Sequence, residues 1–178
     1  MEEKNNVASE MHASFFNRMK EAMHAGFYYE AIFLEYAAIE SRLEVLCTLL
    51  GYPCMRELNN KDRRKVQISN RVNCLKKYYK VNQIETKRSK TRMDIEAWKK
   101  LTDWITKERN MYTHGLYKNP EEYLSRMERA HEVAEKGYDL AELLYKEVNR
   151  VRGILSRRTS LVSEKKRICS DMCIKERK

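Results

Sequence analysis

The amino-acid sequence predicts an all-α fold, an up-and-down antiparallel bundle of four to five helices. The chain has only 5 Gly and 2 Pro among 178 residues, so it contains few places to turn. Hydrophobic residues make up 42% of the chain and charged residues 35%, a mixture typical of long amphipathic helices. No stretch of useful length alternates as a strand does, and the length suits one domain with its own core.

Two helices are predicted in the first 50 residues. Residues 8–24 carry apolar side chains every four positions and end at Gly26. Residues 27–50 are the most apolar segment, and Gly51 and Pro53 end it. Its apolar positions form two adjacent stripes, so we expect this helix to lie centrally and to contact several neighbours. The first stripe contains Tyr28, Ile32, Tyr36, Ile39, Leu43, Leu46 and Leu50.

Three further helices follow. After a polar loop at 55–65, a short third helix is marked by Ile68, Val72, Leu75 and Tyr79. A basic linker at 82–92 leads to Thr91-x-x-Asp94, a capping box for a fourth helix that ends at His114 and Gly115. The fourth helix has the core stripe Trp98, Leu101, Ile105 and Tyr112.

Asn119 and Pro120 predict the start of the fifth helix, as cap and first helical residue. That helix is expected to run to about Val151, which divides the chain into a bundle at 1–150 and a basic C-terminal extension at 151–178. Its inward positions are Tyr123, Met127, Ala130, Ala134, Ala141, Leu144, Val148 and Val151.

Charge is unevenly distributed along the chain. The net charge is +10, and segments 56–92 and 150–178 carry 13 and 10 basic side chains against 3 acidic ones each. Such segments favour a polyanion, and RNA suits them better than a membrane because neither has an apolar insertion face. No apolar run is long enough to span a membrane and no signal-peptide core is present, so a cytoplasmic protein is expected.

The sequence predicts neither a metal centre nor a cofactor. Its five cysteines are scattered, and Cys169-x-x-x-Cys173 lacks a second pair of ligands nearby. Cys47 lies in an apolar run and is expected in the core.

The residues best suited to chemistry lie in Arg109-Asn110-Met111-Tyr112-Thr113-His114. Cleavage of RNA without a metal needs a group that exchanges a proton and a cation for the charge that develops on phosphorus. Histidine titrates near neutrality and arginine grips phosphate with two parallel hydrogen bonds. On a regular helix, positions five apart point roughly 140° away from each other. His114 must therefore leave the helical track at Gly115, or two chains must each contribute to a shared cleft.

The pattern Arg-Asn-x-x-x-His, late in the fourth helix of a small bundle, resembles the signature of the HEPN superfamily (higher eukaryotes and prokaryotes nucleotide-binding). The long apolar second helix, with Glu40 and Arg42 near its middle, is similar in texture to that family. The resemblance covers roughly residues 8–150, but only the Arg109–His114 motif is specific.

The resemblance implies a homodimer with a composite cleft and a metal-independent endoribonuclease activity on single-stranded RNA, as in toxins and antiviral defence proteins. Arg109 would then bind phosphate, His114 would be the acid and base, and Asn110 would position them or the substrate. Weaker substrate-binding candidates are Tyr112 and Tyr117, which could stack on a base, and Glu40, which could orient Arg109.

One departure concerns regulation of the protein by a partner. Toxins paired with a nucleotidyltransferase antitoxin commonly carry His-x-Tyr, whereas this chain has His114-Gly115-Leu116-Tyr117, one residue longer. An antitoxin or other regulatory partner therefore remains open.

Two alternatives of other classes also remain. One is a non-catalytic HEPN-like module that binds RNA, a nucleotide or a partner protein. The other is a di-iron carboxylate bundle, for which Glu21-x-x-His24 and Glu128-x-x-His131 have suitable spacing and Glu35 or Glu40 could add a ligand.

Overall fold

The computed structural model describes residues 2–50, 68–81, 93–114 and 122–175. Side chains are described for 13–50, 68–79 apart from Asn70, 93–112 and 122–157. Throughout these ranges the regular structure is helical and no strand occurs, which confirms the all-α bundle. None of the helices, over the part described, combines the length and apolar character needed to cross a membrane.

Six α-helices and one π-helical turn make up the described fold. They are α1 (Glu2–His24), α2 (Tyr28–Leu49), α3 (Ile68–Val81), α4 (Ile95–Asp103), the π turn (Trp104–Glu108), α5 (Arg109–His114) and α6 (Tyr123–Lys175). α4, the π turn and α5 follow one another without a break and correspond to the single fourth helix expected from the sequence.

Two helix boundaries differ from the prediction. α1 begins at Glu2 rather than at residue 8, and α6 continues to Lys175 rather than ending near Val151. The predicted end of α6 is wrong because no proline follows residue 120, and a lone glycine at 153 costs only about 1 kcal/mol in a helix.

The described helix ends have identifiable causes. Gly26 adopts a φ of 76° directly after α1, a left-handed conformation that glycine reaches without steric cost. Asp94 caps α4 by accepting a hydrogen bond from the backbone N–H of Ala97 at 2.7 Å. The prediction of Thr91 as the cap is wrong, because α4 begins at Ile95 and its N-cap is Asp94. Asn119 and Pro120 lie outside the residues that the structure describes.

α2 is the central helix, as its two apolar stripes predict. It contacts α1, α3, α5 and α6, and its most extensive contact is with α6. Tyr28 packs on His131 near the start of both helices, and Arg42 lies over Tyr145 further along both. α2 and α6 therefore run in the same direction.

The helix from α4 to α5 runs in the opposite direction. Trp104 donates to the carbonyl of Val133 at 2.9 Å, and Tyr112 donates to the carbonyl of Arg126 at 2.9 Å, so the chain descends along α6. Since α3 lies between α2 and α4 in the chain, consecutive helices do not all alternate in direction.

Most predicted core positions are confirmed. Ile32, Ile39, Leu43 and Leu46 of α2 are fully buried, as are Leu75 of α3 and Cys47. The stripe predicted for the fourth helix, Trp98, Leu101, Ile105 and Tyr112, is buried as well. The inward assignment of Tyr123 and Met127 is wrong, because their exposed fractions are 43% and 39%. Both lie in the first turns of α6, ahead of the first buried residue of that helix, Ala130.

A buried carboxyl group lies where α2, the π turn and α6 meet. Glu35 is 0% exposed, and neither of its carboxyl oxygens has a hydrogen-bond partner among the described residues. Burial raises its pKa to about 9, with a further contribution from the negative charge of Asp139. The close approach depends on Gly137, since a Cβ there would clash with Glu35 Oε2 and would lie 2.5 Å from Trp104 Cζ2.

A second buried polar group joins α3 to α6. Tyr79 donates its hydroxyl to Glu147 Oε1 at 2.5 Å, and Glu147 is 0% exposed. Arg150 donates to both carboxylate oxygens of Glu147 at 2.8 and 2.6 Å. Unlike Glu35, this buried carboxylate has a partner for each oxygen.

Candidate functional site

Arg109 directly follows the π turn Trp104–Glu108. It is partly buried and faces α2 at the edge of the core, whereas Tyr112, three residues further on, is buried. π turns are frequent at functional sites.

The contacts of the Arg109 guanidinium include a ring and an amide oxygen. Its Cζ lies 3.6 Å from the centroid of the Tyr36 ring, a stacked cation–π contact. Its Nη1 donates to Asn110 Oδ1 at 2.9 Å. Asn110 in turn donates from Nδ2 to the carbonyl of Thr106 at 3.0 Å, which ties the side chain to the preceding turn. Asn110 is therefore in contact with Arg109, and its role in positioning the guanidinium remains a prediction.

Tyr36 connects Arg109 with two charged side chains of the neighbouring helices. Burial and the Glu40 carboxylate raise the pKa of the Tyr36 hydroxyl. Arg109 and Arg71 act against this rise in the pKa, because a nearby cation favours the phenolate. The hydroxyl therefore lies within electrostatic reach of two arginines and one carboxylate.

Glu40 is in contact with α3. Its Oε1 lies 3.8 Å from Nη1 of Arg71, and the Glu40 side chain is 43% exposed. Arg71 also lies 4.0 Å from Glu44, one turn further along α2. The ion pair that the structure gives Glu40 is therefore with Arg71, and an orienting role towards Arg109 remains a prediction.

His114 is the last residue of α5, and its side chain lies outside the described ones. α5 is α-helical from Arg109 to His114, so the backbone does not leave the helical track between them. A shared cleft to which two chains contribute remains a prediction.

The remaining aromatic candidates differ from each other. Tyr112 is 2% exposed, packs edge-on against Tyr29 with ring centroids 5.3 Å apart, and hydrogen bonds to α6. Its place in the core stripe is confirmed, and its ring has no exposed face on which a base could stack. Tyr117 lies outside the described residues.

The residues of the di-iron alternative do not face the bundle interior. Glu21, His24, Glu128 and His131 are all exposed, and His131 pairs with Glu135 at 3.4 Å. Within the described ranges, no three or more His, Cys, Asp and Glu side chains are grouped closely enough to hold a metal ion. Glu35 is buried but isolated from them.

A groove of about 790 Å³ opens on a different side of the helix that carries Arg109, between α4 and α6. Its lining includes only two lysines, Lys100 and Lys136, and six carboxylates, those of Asp94, Glu96, Asp103, Glu108, Asp139 and Glu142. Carboxylates repel phosphate, so the groove is unsuited to nucleic acid. The α2 face sets Arg109 and Arg71 against Glu40 and Glu44, so it repels a polyanion less than the groove does.

Two residues of the α2 face, Tyr36 and Arg71, do not stand out in the sequence. Tyr36 belongs to the apolar stripe of the second helix, and nothing in its spacing indicates a cation above its ring. Arg71 was one of 13 basic residues in segment 56–92. Its position four residues before Leu75 on an amphipathic helix was the available signal that it faces inward.

No family model, curated protein or solved structure that was compared with the chain matches it.

Proposed function

We propose that this chain is a metal-independent endoribonuclease of the HEPN type that cleaves single-stranded RNA with Arg109 and His114. The observation that carries the proposal is the setting of Arg109, which is stacked on Tyr36 at 3.6 Å and hydrogen bonded to Asn110 at 2.9 Å, directly after a π turn. A guanidinium restrained in this way loses little further conformational freedom when it binds a phosphate.

The roles follow from the chemistry of each side chain. His114 would take the proton of the 2′-hydroxyl or give a proton to the departing 5′-oxygen. Its position at the end of α5 favours the imidazolium, because the helix dipole places negative charge at the C-terminus. Arg109 would stabilise the charge that develops on the phosphorane, and Asn110 would hold Arg109 in place. Cleavage by the 2′-hydroxyl yields a 2′,3′-cyclic phosphate and a 5′-hydroxyl.

The proposal includes a homodimer. Side chains five positions apart on a regular helix point about 140° from each other, so a second copy of the chain would complete a cleft that needs both Arg109 and His114. A single stable monomer at micromolar concentration, by sedimentation or light scattering, would contradict the composite cleft. A toxin or antiviral defence role in the cytoplasm, with an antitoxin or regulatory partner, is part of the same proposal.

The experiment is cleavage of mixed single-stranded RNA in EDTA, with the new ends identified chemically. Wild-type protein should produce cyclic phosphate ends. Arg109→Ala and His114→Ala should each lower the rate by about 10²-fold or more, the usual loss for a phosphate-binding cation or a general acid and base.

Matched controls are available for both variants. His24→Ala removes the exposed histidine at the end of α1, and Arg18→Ala removes an exposed arginine, so both should cleave at the wild-type rate. Equal activity in all variants would trace cleavage to a contaminant. Intact RNA with the wild-type protein, despite RNA binding, would replace the proposal with the non-catalytic binding module.

A further inference from the structure

Arg71 is a buried cation with incompletely satisfied donors. Its side chain is 10% exposed, and its Nε and Nη1 have no hydrogen-bond partner among the described residues. The two carboxylates nearest to Nη1 lie at 3.8 and 4.0 Å, beyond hydrogen-bond distance. Buried donors without acceptors cost free energy, so this guanidinium is poised to accept an anionic partner.

The position of Arg71 relative to Arg109 gives the geometry of such a partner. Arg109 lies on Tyr36, and Arg71 lies beside Glu40, which follows Tyr36 by one turn of α2. Four residues of an α-helix advance by about 6 Å. The two cations therefore follow one another along one face of α2, with the Tyr36 hydroxyl in electrostatic reach of both.

We propose that Arg71 binds a second phosphate of the same RNA strand, next to the phosphate held by Arg109. This inference rests on the proposed function and deepens it, because it names a ligand with at least two successive phosphates as the preferred substrate. Guanidinium suits this role since it remains charged when buried and binds phosphate oxygens through paired N–H donors. Phosphate oxygens would supply the acceptors that Nε and Nη1 lack once the loose contacts of Arg71 with Glu40 and Glu44 open and expose these two buried nitrogens.

Glu40 and Glu44 have a defined part in this arrangement. Their loose contacts hold Arg71 towards the α2 face when no RNA is bound, and their exposed fractions of 43% and 54% keep them hydrated. They also compete with phosphate for the guanidinium. Neutralising Glu40 should therefore tighten RNA binding, whereas a merely structural ion pair predicts only a change in stability.

The test measures binding of a short 2′-O-methyl RNA oligonucleotide, which cannot be cleaved by its own 2′-hydroxyl, across a range of salt concentrations in EDTA. Each phosphate contact to a single strand contributes about 0.7 to the slope of log K against log salt. Arg71→Gln should lower that slope by about 0.7 and weaken binding by about tenfold. Lys77→Gln, the same change of charge at an exposed position of α3, should leave both nearly unchanged.

Two further variants keep the test decisive if Arg71→Gln folds poorly. Arg71→Lys keeps the charge and loses the paired donors, so it should keep the slope and lose affinity. Glu40→Gln should bind several-fold more tightly, whereas Glu30→Gln, at an exposed position of the same helix, should not.

An unchanged slope in folded Arg71→Gln, or an unchanged affinity in Glu40→Gln, would overturn the inference. Because binding is measured without cleavage, the proposed function is tested separately. If the wild-type protein cleaves RNA but Arg71→Gln leaves the salt slope of binding unchanged, only the second phosphate site is rejected. If Arg71→Gln lowers the salt slope but the wild-type protein cleaves no RNA, the site is kept and the nuclease is rejected.

Discussion

Replacement of Glu35 by glutamine should make the protein more stable, and the gain should grow with pH. Glu35 is fully buried, its oxygens lack hydrogen-bond partners among the described residues, and its pKa is raised from 4.5 to about 9. The folded protein therefore binds a proton at this site more tightly than the unfolded chain does. The stability associated with the protonated group is fully present below pH 4.5 and is lost as the pH rises towards 9.

The magnitude follows from the two pKa values. Each pH unit between them lowers the free energy of unfolding by about 1.4 kcal/mol, so the wild-type protein loses about 3 kcal/mol between its unfolded pKa and neutrality. Glutamine has nearly the same shape and cannot ionise, so Glu35→Gln should avoid this loss. The advantage of the variant should increase by about 4 kcal/mol between about pH 5 and pH 8.

Urea unfolding of both proteins at several pH values measures this difference directly. Glu30→Gln serves as the control, because Glu30 is an exposed residue of the same helix and should not change the pH dependence. A stability difference between Glu35→Gln and wild type that stays constant from pH 5 to pH 8 would refute the argument that Glu35 is buried as an isolated acid.

Two more predictions concern packing and buried hydrogen bonds. Gly137→Ala should destabilise the protein by about 2 kcal/mol or more, because the added Cβ would lie 2.5 Å from the Trp104 ring. Gly153→Ala should instead stabilise the helix by up to about 1 kcal/mol, because no atom lies within 4 Å of the new Cβ. The melting temperatures of Gly137→Ala and Gly153→Ala should therefore shift in opposite directions from that of the wild-type protein. Tyr79→Phe should cost about 1–3 kcal/mol in urea unfolding, since it removes the phenol hydrogen bond to buried Glu147; equal stability with wild type would contradict that contact.

Under the proposed function, the charges of the two faces bear on where RNA would approach. The α2 face balances Arg109 and Arg71 against Glu40 and Glu44, while the groove between α4 and α6 sets two lysines against six carboxylates. A polyanion would therefore be repelled more strongly by the groove than by the α2 face. The net charge of +10 alone does not distinguish the two faces.

Much of the fold follows from local sequence patterns. The apolar stripe of α2, from Ile32 to Leu46, predicts both the helix and its burial, because side chains three and four apart share one face. Gly26 predicts the end of α1 because glycine adopts positive φ without steric cost, a property of the residue itself. The candidate pair Arg109 and His114 is also visible in the sequence, since the motif is contiguous.

Other features depend on contacts between residues distant in the chain, and no local pattern encodes them. The contact of Arg109 with Tyr36 joins positions 73 residues apart and lies directly after the π turn. Arg71 becomes a buried cation only because α3 packs against α2. Sequence alone therefore determined the helices and the chemical motif. The tertiary structure decided which side chains surround that motif, because burial and electrostatics depend on neighbours in space.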